Sequence, residues 1–290
     1  MVSAQARRDQ VAIARKRGVS CRRACALLSV ARSSLTYESR MPAKDHVLAG
    51  ELRALARKHP RSGYRMMRNR LSTPTSYSRV YRVWKQSGLC LPRRRPRKRL
   101  RGDAHRWMSA ITPNSVWAYD FAHDECANGQ KLKCLVVVDE WTHESLAIQV
   151  DARIRSADVI DILSRLFSLY GPPAFIRSDN GPEFVAKAVQ RWLRNQGVQT
   201  SYIEPGKPWQ NGVAESFVNR FRDECLGVEW FNNRLEAKVF IERWRQDYND
   251  ERPHSSNDYM TPSRRRENWI NDFGAKWGIK YGKQPRRLSA

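Results

Sequence analysis

The chain has 290 residues, 41% of them hydrophobic, and a formal net charge of +24. That length holds two domains with separate cores, and no apolar run approaches the roughly 18 residues a membrane span requires. Residues 1–17 are too polar for a signal peptide, which places the chain in the cytoplasm.

The basicity is segregated. Residues 1–106 hold 28 Lys or Arg against 5 Asp or Glu, whereas residues 107–290 hold 25 against 24. A polycationic half followed by a nearly neutral, acid-bearing half reads as a nucleic-acid grip joined to a catalytic body. In chain order, residues 10–17 form a helix ended by Gly18. Ser20 caps a second helix carrying Ala24, Leu27 and Leu28, residues 29–31 turn, and residues 32–37 start a third. This predicts a helix-turn-helix over residues 1–45 whose third element enters the major groove with Arg32 and Ser33 as DNA contacts. A plain three-helix bundle with a solvated basic face is the alternative. Cys21 and Cys25 lie four apart on one helix, but the six cysteines show no Cys-x-x-Cys pair and no Cys/His zinc spacing. They read as reduced thiols.

A second helical unit spans residues 46–91, with helices at 46–58, 63–71 and 78–87 closed by Gly88. In the last of these Val80, Tyr81 and Trp84 pack, while Arg79, Arg82 and Lys85 face outward toward DNA. Residues 92–106 form a basic linker in which Arg93, Arg94, Arg95, Arg97, Lys98 and Arg99 cannot bury themselves and would contact phosphates.

From Trp107 the pattern alternates between strands and helices. Strands are predicted at 116–122, 132–140 and 145–150, with Asn128-Gly129 turning the first hairpin. Ser156 caps a helix presenting Val159, Ile160, Leu163, Leu166 and Phe167, stopped by Gly171-Pro172-Pro173; a strand follows at 174–178. Pro182 opens a helix with Val185, Val189, Trp192 and Leu193 inward, ended by Gly197, and a strand at 200–203 precedes a final helix. Three antiparallel strands extended by parallel ones give a mixed five-stranded sheet with flanking helices. The fold class is therefore α/β and ribonuclease H-like, a core domain over 107–270 preceded by the all-helical DNA-binding region and followed by a basic tail at 271–290.

That layout gives three carboxylates a common address. Asp120 lies in the first strand, Asp179 leaves the fourth, and Glu215 sits on the helix after the fifth. Acids forced together repel, and cations are the usual remedy. Oxygen ligands with no nearby His or Cys favour magnesium or manganese over zinc, in an arrangement suited to two-metal phosphoryl transfer. Asp139, Glu140 and Glu183 could each stand in; Asp139, also at the end of an apolar run, is the strongest rival. Asp120 is preferred because a charge between Tyr119 and Phe121 needs a reason to be buried. Upstream of Glu215, Lys207, Gln210 and Asn211 lie in a Gly- and Pro-rich loop, and on the following helix Asn219 and Arg222 share the face of Glu215 as DNA contacts, Arg222 as a phosphate clamp. Phe217, Phe221 and Cys225 form the packed side.

The segments Trp117-Ala118-Tyr119-Asp120-Phe121, Ser178-Asp179-Asn180-Gly181-Pro182-Glu183-Phe184, Pro205-Gly206-Lys207-Pro208-Trp209-Gln210-Asn211-Gly212, Glu215-Ser216-Phe217, Arg222-Asp223-Glu224-Cys225-Leu226 and Trp244-Arg245-Gln246-Asp247-Tyr248-Asn249, running into Arg252-Pro253-His254-Ser255, together resemble the integrase-core transposases encoded by the second reading frame of IS-three family insertion sequences, relatives of retroviral integrases. The likeness reaches back to His59-Pro60-Arg61-Ser62-Gly63-Tyr64-Arg65 and covers most of the chain. The family implies a DDE transposase of a bacterial, nucleoid-associated kind. Asp120, Asp179 and Glu215 would be its metal-holding triad, with two Mg2+ and Mn2+ as a substitute, acting in DNA cleavage and strand transfer. It implies double-stranded DNA as partner, both element terminal inverted repeats and target, a homo-oligomer on DNA, and an upstream-frame product that supplies a further helix-turn-helix and coiled coil. Val218 departs from the usual Asn after Glu-Ser-Phe, a change expected to weaken DNA engagement. A ribonuclease H-like nuclease without strand transfer and a non-catalytic DNA-binding regulator remain the alternatives.

Overall fold

The computed structural model describes residues 4–35, 41–92, 109–179, 181–202 and 208–274. Two compact units emerge, residues 1–53 and 54–290, the division falling within one helix. The expected linker cations Arg93, Arg94, Arg95, Arg97, Lys98 and Arg99, the loop residue Lys207, and all but the start of the 271–290 tail lie outside the described residues.

In the first unit, α1 (Ala4–Lys16) and α2 (Cys21–Leu27) close on Val11, Ala24 and the buried Cys25. Gly18, at φ +87°, makes the left-handed turn between them, a conformation that carries no steric penalty without a Cβ. Ser20 caps α2 by accepting a hydrogen bond from the Arg23 N–H. The expected third helix is a single 3-10 turn at Arg32–Ser34, residues 36–40 lie outside the described set, and α3 (Met41–Lys58) follows. Arg32 and Ser33 are exposed on that turn.

In the second unit, α4 (Tyr64–Arg68) and α5 (Tyr77–Gln86) pack through Met67, Val80, Val83 and Trp84. Tyr81, expected inside, is exposed and lies 4.9 Å from the Tyr64 ring; Val83 takes its place because it shares the helix face of Val80. Arg82 and Lys85 are exposed and Arg79 partly so.

The strands are β1 (Val116–Glu125), β2 (Lys131–Asp139), β3 (Ser145–Asp151), β4 (Phe175–Ser178) and β5 (Gln199–Tyr202), in the sheet order β3-β2-β1-β4-β5. β1, β2 and β3 pair antiparallel, while β4 and β5 extend the sheet in parallel. The hairpin turns at Gly129, φ +77°, where the Gln130 N–H meets Asn128 Oδ1. Strand alternation divides the two faces. Trp117, Tyr119, Leu135 and Val137 pack with α6 (Ser156–Tyr170) and α8 (Lys187–Asn195), while Ala122, Cys134, Val136 and Val138 pack with α9 (Gly212–Phe221) and α10 (Arg234–Asp250).

Two helix starts differ from expectation. Arg155, not Ser156, is the N-cap of α6: its N–H donates to Asp158 Oδ2 at 2.7 Å, which leaves Ser156 as the first helical residue. The helix opened by Pro182 breaks after one turn, α7 (Pro182–Val185), because Ala186 is extended at ψ 129° before α8 begins. Phe184 is consequently the fully buried residue and Val185 is exposed. α11 (Pro262–Trp269) closes the described core. Among the described residues no helix is long and apolar enough to cross a membrane.

Candidate active site

Backbone register places the first two acids. Val116, Trp117 and Ala118 of β1 lie opposite Phe175, Ile176 and Arg177 of the parallel β4. Two residues further along, Asp120 meets the exit of β4, where Asp179 follows Ser178. Asp120 opposes Val136 across β2, and Val136 packs on the α9 side of the sheet, so the Asp120 side chain emerges on that face. α9 runs over the same face and carries Glu215, exposed, in its first turn.

These acids share one electrostatic field. Burial in the strand pushes the half-buried Asp120 carboxyl up to about 6; the Phe121 N–H, donating to its Oδ1 at 2.7 Å, pulls the other way. Asp179 and Glu215 raise it further, and Arg222 counters them. Arg222 opens a π-helical turn, Arg222–Leu226, that prolongs α9 and places its guanidinium within range of both Asp120 and His123. Asp179 is oriented by its own loop: the Gly181 N–H donates to Oδ1 at 3.0 Å, and a Cβ at 181 would stand 3.1 Å from that oxygen, so glycine allows the close approach.

The rivals have structural duties. Asp139 is fully buried, pairs with Trp117 rather than Asp120, and so points to the opposite face. Its Oδ1 accepts from the N–H groups of Trp141 and Thr142 and from the Thr142 hydroxyl, and its Oδ2 from the Asn114 N–H, with Arg266 nearby at 3.7 Å. Glu140 is held in a buried ion pair in which Arg177 Nη1 donates to both its carboxylate oxygens, at 2.7 and 2.9 Å. Glu183 forms a close ion pair with Lys133.

Asn219 and Arg222 are exposed, and Gln210 is partly so, in a 3-10 turn, Pro208–Asn211. Asn211 corrects the expected DNA contact: it is buried and donates its amide to the Tyr119 carbonyl at 3.4 Å, bracing the loop against β1. Val218 is buried among the apolar side chains under α9, so it faces the core and not DNA, and the sheet packing selects an apolar residue there. The downstream motif is also structural. Asn249 grips the backbone of Ser145 through both its amide atoms at 2.9 Å, and Arg252 forks onto Glu224 at 2.7 and 2.6 Å. Sequence reasoning weighed Glu183 only as a rival acid and missed its pairing with Lys133, which bridges β2 and α7 beside Asp179; alternation along one strand carries no signal of a pairing across fifty residues.

Among the described residues no group of three or more His, Cys, Asp or Glu side chains is arranged to hold a metal ion by itself. Magnesium, however, is held by one or two carboxylates, with waters and substrate phosphates completing the octahedron. An all-oxygen donor set of mutually repelling acids, one of them half-buried with a raised pKa, fits such an incomplete cradle.

Integrase core domain models match residues 111–208 and 196–262. An uncharacterized 31.7 kDa protein of insertion element IS407 from Burkholderia multivorans is 40% identical over 255 residues, which span 87% of this chain and 92% of that protein. A 39.2 kDa protein of insertion element IS476 from Xanthomonas euvesicatoria is 37% identical, across 84% of this chain and 72% of its own. The catalytic core of the HTLV-2 integrase, solved with magnesium, aligns at TM-score 0.40 and 19% identity over 54% of this chain and 98% of its own. Sheet order, motif content and near full-length relatives agree: this chain belongs to the integrase-core transposases of IS-three family insertion sequences.

Proposed function

We propose that Asp120, Asp179 and Glu215 form the acid triad of a DDE transposase that cleaves DNA at the ends of its insertion sequence and joins those ends to target DNA. The observation that carries this reading is the register that sets Asp120 beside the exit of β4, where Asp179 follows, on the sheet face that α9 covers with Glu215 in its first turn. Two divalent cations, magnesium with manganese as a substitute, would supply nucleophile activation and leaving-oxygen stabilisation for an in-line displacement when bound.

The residues themselves do the following. Asp120, half-buried, would be the central ligand, its carboxylate oriented by the Phe121 N–H that donates to Oδ1. Asp179 is held by the Gly181 N–H, and Glu215, on the exposed first turn of α9, closes the cradle from above the sheet. Arg222 stands seven residues further along the same helix, on the same face, and clamps a phosphate beside the acids. Arg32, Ser33, Arg79, Arg82, Lys85, Gln210 and Asn219 contact duplex DNA, the terminal inverted repeats or the target, through charge and polar groups, and the 92–106 linker and Lys207 add phosphate contacts. Pairing two ends requires a homo-oligomer, and an upstream-frame product is a further partner.

The test is a strand-transfer assay on oligonucleotides carrying the element ends. Cleaved and joined products that need a divalent cation and vanish in Asp120→Asn, Asp179→Asn and Glu215→Gln support the assignment. Hydrolysis without joining would favour the simple nuclease, and retained activity in the variants would sink the triad.

A further inference from the structure

We infer that the Lys133–Glu183 ion pair is a positioning device that seats the Asp179 loop against β1, so that the first two acids of the proposed triad share a cation; this rests on that reading of the site. Lys133 lies on β2 and Glu183 on α7, one turn after Asp179, and their side chains meet in a close pair, only 16% and 25% exposed. The pair is reinforced by rings. The Lys133 Nζ lies 4.1 Å from the centroid of the Phe121 ring, and Phe121 stacks on Phe184 at 4.8 Å with the planes 6° apart. Phe184 is fully buried and also meets Tyr119 at 4.2 Å. Each residue flanking Asp120 in β1 is thereby packed against the one following Glu183. A displacement of α7 would have to open the ion pair and both ring contacts of Phe184 together, while the cation–π contact within the sheet holds Lys133 and Phe121 in place to receive them.

These contacts fix α7, which begins directly after Gly181. The Gly181 N–H bonds the Asp179 carboxylate, the chain turns directly into α7, and α7 is pinned at Glu183 and Phe184. Two acids that repel one another would otherwise separate when no cation lies between them. The Lys133 ammonium opposes this by holding α7, and with it the chain that leaves Asp179, through Glu183. Neither Lys133 nor Glu183 is placed among the metal ligands, so both act through Asp179.

The experiment measures Mn2+ affinity of the full chain without DNA, by the loss of the free-ion electron paramagnetic resonance signal, alongside the Mg2+ concentration that gives half-maximal strand transfer. Lys133→Gln and Glu183→Gln should each weaken Mn2+ binding by about tenfold, the effect expected when an orienting partner of a metal ligand is removed. Both should shift the Mg2+ requirement upward while leaving the rate at saturating Mg2+ and the affinity for duplex DNA near wild type. The reversed pair Lys133→Glu with Glu183→Lys should recover most of the loss. Unchanged Mn2+ affinity in either folded single variant overturns the inference. If the single variants do not fold, the reversed pair decides: folded with near wild-type affinity it supports the device, and folded with weak affinity it refutes it. Asp120→Asn serves as the reference. Should it still bind Mn2+ as wild type does, the triad assignment itself fails; should it lose Mn2+ while Lys133→Gln keeps it, only the positioning role fails.

Discussion

Replacing Asp120 with Asn should stabilise the metal-free protein while destroying its chemistry. The Asp120 carboxyl is shifted from its ordinary 3.8 to about 6, chiefly by burial, with Asp179 and Glu215 adding repulsion. Between those values the folded chain still holds a proton that the unfolded chain has released. The neutral acid's stability contribution is thus complete below the unfolded value and is lost as pH rises through about 6. A shift of about two units corresponds to a ceiling of about 3 kcal/mol at neutral pH, and residual solvent around a half-buried group brings the expected cost to about 1–2 kcal/mol. Asparagine keeps the oxygen that accepts the Phe121 N–H and removes the charge. In a chelator, the variant should melt roughly 2–8 °C above wild type at about pH 7.5, and the gap should close near pH 4. Added Mg2+ should raise the wild-type midpoint and leave the variant unmoved. The reasoning is refuted if the variant melts at or below wild type at neutral pH without metal, or if its advantage persists unchanged in acid.

Asp139→Asn should cost about 1–3 kcal/mol in chemical denaturation, because its amide nitrogen would face the Asn114 N–H and Arg266 where a carboxylate oxygen now accepts; folded enzyme should keep its rate at saturating metal. Alanine at Arg79, Arg82 and Lys85 together should flatten the log–log salt dependence of duplex binding by up to about 0.9 for each phosphate these side chains neutralise, and an unchanged slope would remove them from the interface. Arg222→Ala should slow strand transfer more than it weakens binding to a blunt duplex, measured by single-turnover kinetics beside a binding titration. Equal loss in both would make Arg222 a general phosphate contact.

The fold is legible where pattern and period agree. The five strands, the long α6 and the placement of Asp120 beside Asp179 follow from alternation, helical spacing and the pairing of parallel neighbours. Local features are less so. Whether Arg155 or Ser156 caps α6 depends on a hydrogen bond to Asp158 that spacing alone does not reveal, and the break at Ala186 is a backbone choice that lets Phe184 reach the core. Asp139 resembles a catalytic acid in sequence because a buried acid in a strand has two explanations, and only its four hydrogen bonds distinguish them. Asn211 and Val218 read as facing DNA because sequence gives their distance along the chain from Glu215 but not the tilt of α9 on the sheet. The ion pair of Lys133 with Glu183 has no signal at all in one sequence.

The most direct measurement is strand transfer by the full chain on paired element ends in Mg2+, with Glu215→Gln run beside wild type. The account predicts joined products from wild type, none from the variant, and equal binding of the ends by both. Joined products from Glu215→Gln at the wild-type rate would contradict it, because the third acid would then hold nothing that the reaction needs.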